Sequence, residues 1–312
     1  MKVLIIGAAG FVGPYLAERL KADLGCSVIA TKMVHESMQL PEGTVCDLDI
    51  LDRDAVYALL ERERPEYIVH LAAQSSVALA WKEPRLTVEV NIIGSLNVLE
   101  AVRLVGYSPR ILLVGSGEEY GHAAAKQVPI PEGTCLIPGN IYAATKACQN
   151  MIGKIYADAY QMDVMMVRAF NHIGPGQTER FVVSDFCKQV AEIEAGKKEP
   201  VISVGNLSAK RDFTDVKDIV RAYSLLLRKG EQGETYNVGS GKAVAIQELL
   251  DQILALSDCE IRVEQDAAKL RPVDVPVIEA DIKKLRQVTG WEREIPLRDT
   301  LLAVLTDWRR RV

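Results

Sequence analysis

KVLIIGAAGFVG, residues 2–13, carries an unbroken apolar run from Val3 to Ile6 straight into Gly7, Gly10 and Gly13. A short run of Val, Leu and Ile with no polar alternation is the signature of a strand buried on both faces, as in a parallel sheet. The residues that follow, 11–22, have helical periodicity. Glycines at such a junction let backbone N–H groups approach a diphosphate closely and leave the helix N-terminus facing its charge. The stretch therefore predicts a parallel α/β fold that binds a dinucleotide at its first strand-to-helix turn. A tight turn that merely wants glycine is the competing reading.

Outward from that unit the pattern repeats. Apolar runs near 27–32, 43–48, 67–72, 110–116 and 163–170 predict further strands, and amphipathic stretches at 52–63, 84–105 and 141–160 predict the helices between them. After about residue 171 the elements shorten, with Gly/Pro punctuation at GPGQ (174–177), KKEPVISVGN (197–206) and LRPVDVP (270–276). The expected architecture is α/β, a doubly wound parallel sheet of Rossmann type over residues 1–170, followed by a smaller C-terminal α/β substrate-binding region over 171–312. The two are interleaved, because roughly 215–255 regains an αβα rhythm that can return to the large sheet.

The 312 residues are 48% apolar, enough for a continuous core, and the formal net charge is −5. That charge provides no electrostatic footprint for nucleic acid or an anionic membrane. Cys26, Cys46, Cys135, Cys148, Cys187 and Cys259 show neither a CxxC nor a Cys/His spacing, so neither a metal site nor a disulfide framework is expected. They read as small core residues in a reducing compartment. No run approaches the ~18 apolar residues of a membrane span. The expectation is a cytoplasmic, soluble protein.

The second strand ends Ala30-Thr31-Lys32, where a free ribose 2′-hydroxyl would call for an acid. A hydroxyl beside a cation suits a 2′-phosphate instead, so NADP is expected and NAD stays open, with Lys32 as a plain solvated strand end the alternative. Asp47, followed by Leu48 after the third strand, can accept from an adenine amino group or serve as a turn residue. Tyr142 and Lys146 in NIYAATK stand four apart on a predicted helix and so share a face. An ammonium near a phenol lowers its pKa and makes proton exchange with a sugar hydroxyl feasible. Ser116 lies at the carboxyl end of a predicted parallel strand, where ligands of open α/β sheets bind.

Gly7/Gly10/Gly13, HLAAQSSVA (70–78), the Ser116 strand, Tyr142 with Lys146, and RAFNHIGPGQ (168–177) occur in this order along the whole chain. Together they resemble the extended short-chain dehydrogenase/reductases that act on nucleotide sugars. The resemblance implies that Tyr142 is the general acid/base, that Lys146 holds the nicotinamide ribose and tunes Tyr142, and that Ser116 hydrogen-bonds the reacting oxygen. Phe11, Val12, Leu71, Ala72 and Ala73 would line the cofactor. Asn171, Val182, Arg211 and Arg271 would contact the nucleotide sugar, the two arginines gripping its diphosphate, and Gln74 and Ser75 would contact the substrate or the nicotinamide ribose. His172 reads as a pocket wall rather than a base, and Trp81 as a possible second wall. The stretches 84–105 and 141–160 would pair with those of a second copy in a homodimer.

HLAAQSSVALAWKEP (70–84) and GNLSAKRDFTDVKDIV (205–220) are similar to the GDP-mannose branch of that family, which contains 4,6-dehydratases and 4-keto reductases. A dehydratase needs a base for C5 and an acid for C6 besides the tyrosine. Within VGSGEEYG (114–121), Glu118 occupies the place of that base, while the place of the acid in the deoxythymidine-sugar enzymes is Gly117. FNHIGPGQTERFVVSDF (170–186) looks more like the reductases. The expected reaction is reduction of the C4 ketone of GDP-4-keto-6-deoxy-D-mannose to GDP-D-rhamnose. The alternatives are a GDP-mannose 4,6-dehydratase, a nucleotide-sugar 4-epimerase and a non-catalytic dinucleotide sensor. Glu119 reads as a strand-end charge that points away from the site.

Overall fold

The computed structural model describes residues 1–269 and 275–312. The chain begins with β1 (Lys2–Ile6), α1 (Val12–Leu24), β2 (Ser27–Lys32), β3 (Thr44–Asp47), α2 (Arg53–Glu63) and β4 (Tyr67–His70). It continues through α3 (Val77–Lys82), α4 (Pro84–Val88), a π-helical segment Glu89–Gly94, α5 (Ser95–Val105), β5 (Arg110–Ser116), α6 (Ile141–Tyr160) and β6 (Val164–Ala169). These strands pair in the order β3-β2-β1-β4-β5-β6, all parallel, which is the doubly wound arrangement expected from the sequence.

β1 shows why the run is apolar throughout. Val3 and Ile5 join the core formed with α1, whereas Leu4 and Ile6 join the core on the other face with Leu59 and Leu60 of α2 and Val98 and Leu99 of α5. A strand covered by helices on both sides has no solvent face on which to alternate. Helix ends follow the local chemistry as well. Gly25 adopts the left-handed conformation that stops α1, and the Asn140 side chain accepts from Ala143 N (2.8 Å) to start α6.

The rest of the chain holds β7 (Asn171–Ile173), α7 (Val182–Glu194), β8 (Val201–Val204), β9 (Lys210–Asp215), α8 (Val216–Lys229) and β10 (Thr235–Val238). Then come β11 (Ala243–Ala245), α9 (Ile246–Leu254), β12 (Arg262–Gln265), β13 (Val277–Ile278), α10 (Lys283–Thr289) and α11 (Leu297–Arg311). β10 pairs with β6 and becomes the seventh strand of the large sheet, with α8 packed beside α1. β9 binds β7, β11 and β13 in a separate small sheet, and β12 pairs with β8. α7, α9 and α11 close a third core around Phe186, Leu249 and Leu305.

Two expectations are corrected here. The stretch 84–105 is not one α-helix, because a π-helical turn interrupts it between α4 and α5. The cysteines are not uniformly core residues: all six are unpaired, Cys26 and Cys187 are buried, and Cys135 and Cys259 are exposed. Among the described residues no helix is long and apolar enough to cross a membrane.

Candidate active site

The strand order reverses between β1 and β4, so the loops leaving their carboxyl ends diverge and open a crevice. The three glycines of the β1–α1 loop fit that crevice for three different reasons. Gly7 has φ +79°, and a Cβ on it would stand 2.5 Å from the Ala72 backbone, so the loop and the Leu71–Ala73 segment touch. A Cβ on Gly13 would stand 1.9 Å from the Ala8 carbonyl oxygen, which makes glycine obligatory where the helix meets the strand. Gly10 is exposed, with only the Gly7 carbonyl at 3.6 Å from an added Cβ, so a ligand can approach its backbone. Phe11 caps α1 with no side-chain hydrogen bond, and the first turn holds no acid. Gly13 N–H donates to the Gly10 carbonyl (3.2 Å) and Pro14 has no N–H, so the positive end of the 13-residue helix dipole and the open Gly10 backbone are what a diphosphate would meet, and the residues present fit a dinucleotide.

Thr31 departs from its expected role. It is buried, and its Oγ1 accepts from Gly7 N (3.1 Å), so its hydroxyl shapes the glycine turn and is not presented to a 2′-phosphate. Lys32 and Asp47 are cross-strand neighbours on β2 and β3 and form an ion pair with each other. Leu48 is buried beside them, and its N–H donates to Lys32 O (2.8 Å). Val12 is half-buried, and the Phe11 ring stacks on His172 with centroids 6.0 Å apart. His172 donates from Nδ1 to the Phe170 carbonyl (3.1 Å), and burial lowers its pKa, so it is a neutral wall.

Ser116 is the last residue of β5, 8% exposed, and Tyr142 (9%) and Lys146 (3%) occupy the first turns of α6. The Ser116 side chain is near enough to the Tyr142 phenol to act on its proton. Burial nevertheless drives the phenol's pKa up, Ser116 opposes this, and the charges of Glu118 and Glu119 add to it. The expected lowering by Lys146 is absent. Lys146 Nζ is turned to Val114 O (2.7 Å) and Gln149 Oε1 (2.9 Å), and its own pKa is lowered by burial to about 8, against the charge of Glu119. The phenol therefore starts firmly protonated, which suits a proton donor.

Glu118 is half-buried in the turn after β5; its N–H donates to Ser116 Oγ (3.2 Å) and its Oε2 accepts from Asn140 Nδ2 (3.4 Å). Glu119 corrects the sequence reading. It is fully buried and folds back to accept the Ser116 N–H (2.8 Å), forming a capping box with Ser116. The S-x-x-E spacing at 116–119 was the signal for it.

On the substrate side, Gln74 uses its side chain within its own loop, accepting from Ser76 N (2.6 Å) and donating to Ser76 O (3.1 Å) and Thr87 Oγ1 (2.8 Å). It shapes the loop and is not presented to a sugar, contrary to expectation. Ser75 is exposed, Asn171 is exposed at the start of β7, and Val182 is half-buried at the start of α7. Arg211 on β9 is largely buried and donates from Nη1 to Lys210 O (2.8 Å) and Val275 O (2.7 Å). Arg271 lies outside the described residues. Trp81 is exposed on α3.

A polar network escaped the sequence reading. Asn91, in the π-helical turn, clamps the Gln74 backbone by accepting from its N–H (2.8 Å) and donating to its carbonyl (3.0 Å), and it also donates to Thr145 Oγ1 (2.9 Å). Ser95 Oγ reaches Gln149 Oε1 (3.3 Å) and His70 Nε2 (2.9 Å). Asn91/Ser95 and Thr145/Gln149 are each four apart, so two polar pairs face one another between α6 and its neighbour.

Comparison with known proteins adds four relationships. Residues 4–303 match the family model described as GDP-mannose 4,6 dehydratase. The chain is 32% identical over 311 residues to the GDP-6-deoxy-D-mannose reductase of Pseudomonas aeruginosa, covering 100% of this chain and 98% of that one. The structure of RMD from Pseudomonas aeruginosa complexed with NADPH superposes with a TM-score of 0.85 at 32% identity, covering 100% and 99% of the two chains. The UDP-glucose 4-epimerase of Thermus thermophilus in complex with NAD superposes with a TM-score of 0.89 at 25% identity, covering 100% of each.

Proposed function

Because the chain belongs to the GDP-mannose 4,6 dehydratase family, we propose that it reduces the C4 ketone of GDP-4-keto-6-deoxy-D-mannose to GDP-D-rhamnose. The Gly7–Gly13 loop and the Leu71–Ala73 segment would hold NADPH, which when bound would supply a hydride to C4. Tyr142 gives the ketone oxygen its proton, Ser116 donates a hydrogen bond to that oxygen as negative charge builds, and Lys146 returns positive charge to the site as the phenol ionises. Asn171, Val182 and Arg211 border the nucleotide sugar.

The observation that carries the reading is position 117. A Cβ on Gly117 would stand 3.1–3.2 Å from the Phe170 ring, so an acid side chain beside Glu118 has no room without displacing that ring. Glu118 thus lacks the neighbouring acid that the deoxythymidine-sugar dehydratases use, which weighs against dehydration without excluding a GDP-mannose dehydratase. Purified protein with the 4-keto-6-deoxy sugar and NADPH should consume one NADPH per GDP-D-rhamnose formed. Accumulation of the 4-keto-6-deoxy sugar from GDP-mannose with catalytic NADP would establish a dehydratase instead.

Lys32 is the group available to a 2′-phosphate, and Asp47 competes for it. Removing that competitor in Asp47→Asn should raise the NADPH-over-NADH preference in kcat/KM by roughly two- to fivefold, the scale of an exposed ion pair. An unchanged ratio would locate 2′-phosphate recognition elsewhere.

The protein forms a homodimer through the α4–α5 run and α6, which display Leu86, Val88, Ile93, Leu104, Met151 and Ile155 to solvent. Light scattering should give twice the chain mass, and Met151→Asp with Ile155→Asp should give a monomer. A monomeric wild type removes this assignment. Six unpaired cysteines, two of them exposed, favour the reducing cytoplasm.

A further inference from the structure

Glu119 has no access to solvent (0% exposed) and takes no part in the reaction described above. Its oxygens are engaged by three donors: Oε1 accepts the Ser116 N–H (2.8 Å) and Asn150 Nδ2 (2.8 Å), and Oε2 accepts Arg168 Nε (3.0 Å). Ser116 ends β5, Asn150 lies one turn beyond Lys146 on α6, and Arg168 belongs to β6. One carboxylate therefore joins the strand that presents the serine to the helix that presents the tyrosine and lysine. Space for it comes from Gly115, where a Cβ would stand 2.2 Å from Glu119 Oε1 and 2.3 Å from Asn150 Nδ2.

Hydrogen bonding alone does not call for a charge, since a glutamine could accept the same N–H. The charge has a second target. Among the described residues the Lys146 ammonium donates to the neutral oxygens of Val114 and Gln149. The ionisable groups that interact with it are His70 from β4, which burial keeps neutral, and Glu119 from the turn after β5. Glu118 acts on Tyr142, while Arg168, with Tyr120 and Glu132 around it, stands behind Glu119. Burial pushes the Glu119 carboxyl up, Arg168, the Ser116 N–H and Asn150 draw it back down, and it is the carboxylate that acts on Lys146.

We propose that Glu119 is a positioning residue for the Ser116, Tyr142 and Lys146 group, fixing Ser116 against α6 and setting a negative charge toward the Lys146 ammonium. The inference rests on the assignment of those three residues to the reduction. Burial lowers Lys146 and Glu119 opposes that effect, so neutralising the carboxylate lets Lys146 lose its proton at a lower pH.

The test measures kcat, KM and the pH profile of kcat for Glu119→Gln and for Glu119→Gln/Arg168→Met, the second removing both members of the ion pair so that no charge is stranded. In both, kcat should fall about tenfold with KM unchanged, as expected for replacing a charge-assisted hydrogen bond by a neutral one, and the alkaline limb should move toward neutral pH. A folded variant with wild-type kcat and alkaline limb overturns the proposal. So does full recovery of activity in the double variant, which marks the role as stability alone, and so does failure of both variants to fold. Tyr142→Phe, assayed in parallel, separates the two levels: if it remains active, the assignment of the three residues fails rather than the role of Glu119.

Discussion

Tyr142→Phe is expected to lower kcat by roughly two to four orders of magnitude, the range that a placed proton donor contributes. KM for the 4-keto sugar and thermal stability should stay near wild type, since the ring keeps its packing and only the hydroxyl is lost. The expectation follows from the phenol's surroundings. Burial holds its proton on, and the neighbouring Ser116 opposes that. The oxygen that develops charge at C4 meets this phenol and the Ser116 hydroxyl as its nearest donors in the proposed mechanism. Steady-state turnover of the 4-keto substrate with NADPH reads the effect. A variant within about threefold of wild-type kcat, which is under 1 kcal/mol of barrier, would remove Tyr142 from the proton-transfer step.

The second large effect is on stability. Arg168→Met should destabilise the fold by about 3–5 kcal/mol, because it strands a buried carboxylate. Arg168 Nε pairs with Glu119 Oε2 (3.0 Å), and its Nη1 also donates to Tyr120 Oη (2.9 Å) and Glu132 O (2.8 Å). The charged fork thus closes three acceptors around one point beneath the site. Urea unfolding followed by circular dichroism measures the loss, and adding Glu119→Gln should restore most of it. A loss below about 1 kcal/mol for Arg168→Met alone would mean that Glu119 is protonated in the native state.

The large sheet was legible because its first six strands are short, mainly apolar runs set off by turn residues, and because Gly7 and Gly13 each meet a steric demand only glycine satisfies. α6 was read with its observed limits because Asn140 caps one end and its apolar stripe runs to Tyr160. The small sheet was not legible. Its strands are two to six residues long and pair with partners far along the chain in both directions, so no local period announces them.

Within the site, the failures share a cause. Thr31 and Gln74 are polar residues at the expected places, but their side chains are taken up by the Gly7 N–H and by the Ser76 and Thr87 groups, and a sequence does not reveal which partner wins. Glu119 was misread because strand alternation was carried one turn too far. The strand ends at Ser116, and the 3₁₀ turn that starts at Gly117 swings the carboxylate inward. The π-helical turn that delivers Asn91 rests on a single extra residue per turn, which apolar periodicity does not resolve.

The return of β10 to the edge of β6 has a bearing on synthesis. The ribosome releases β1 to β6 in order, each beside a neighbour already made. The seventh place in the sheet stays open until Thr235–Val238 has emerged, after β7, α7, β8 and β9 have been laid down in between. Neither half of the chain can be finished before the other, so the nascent protein exposes an unpaired β6 edge for as long as it takes to translate the segment from 170 to 238.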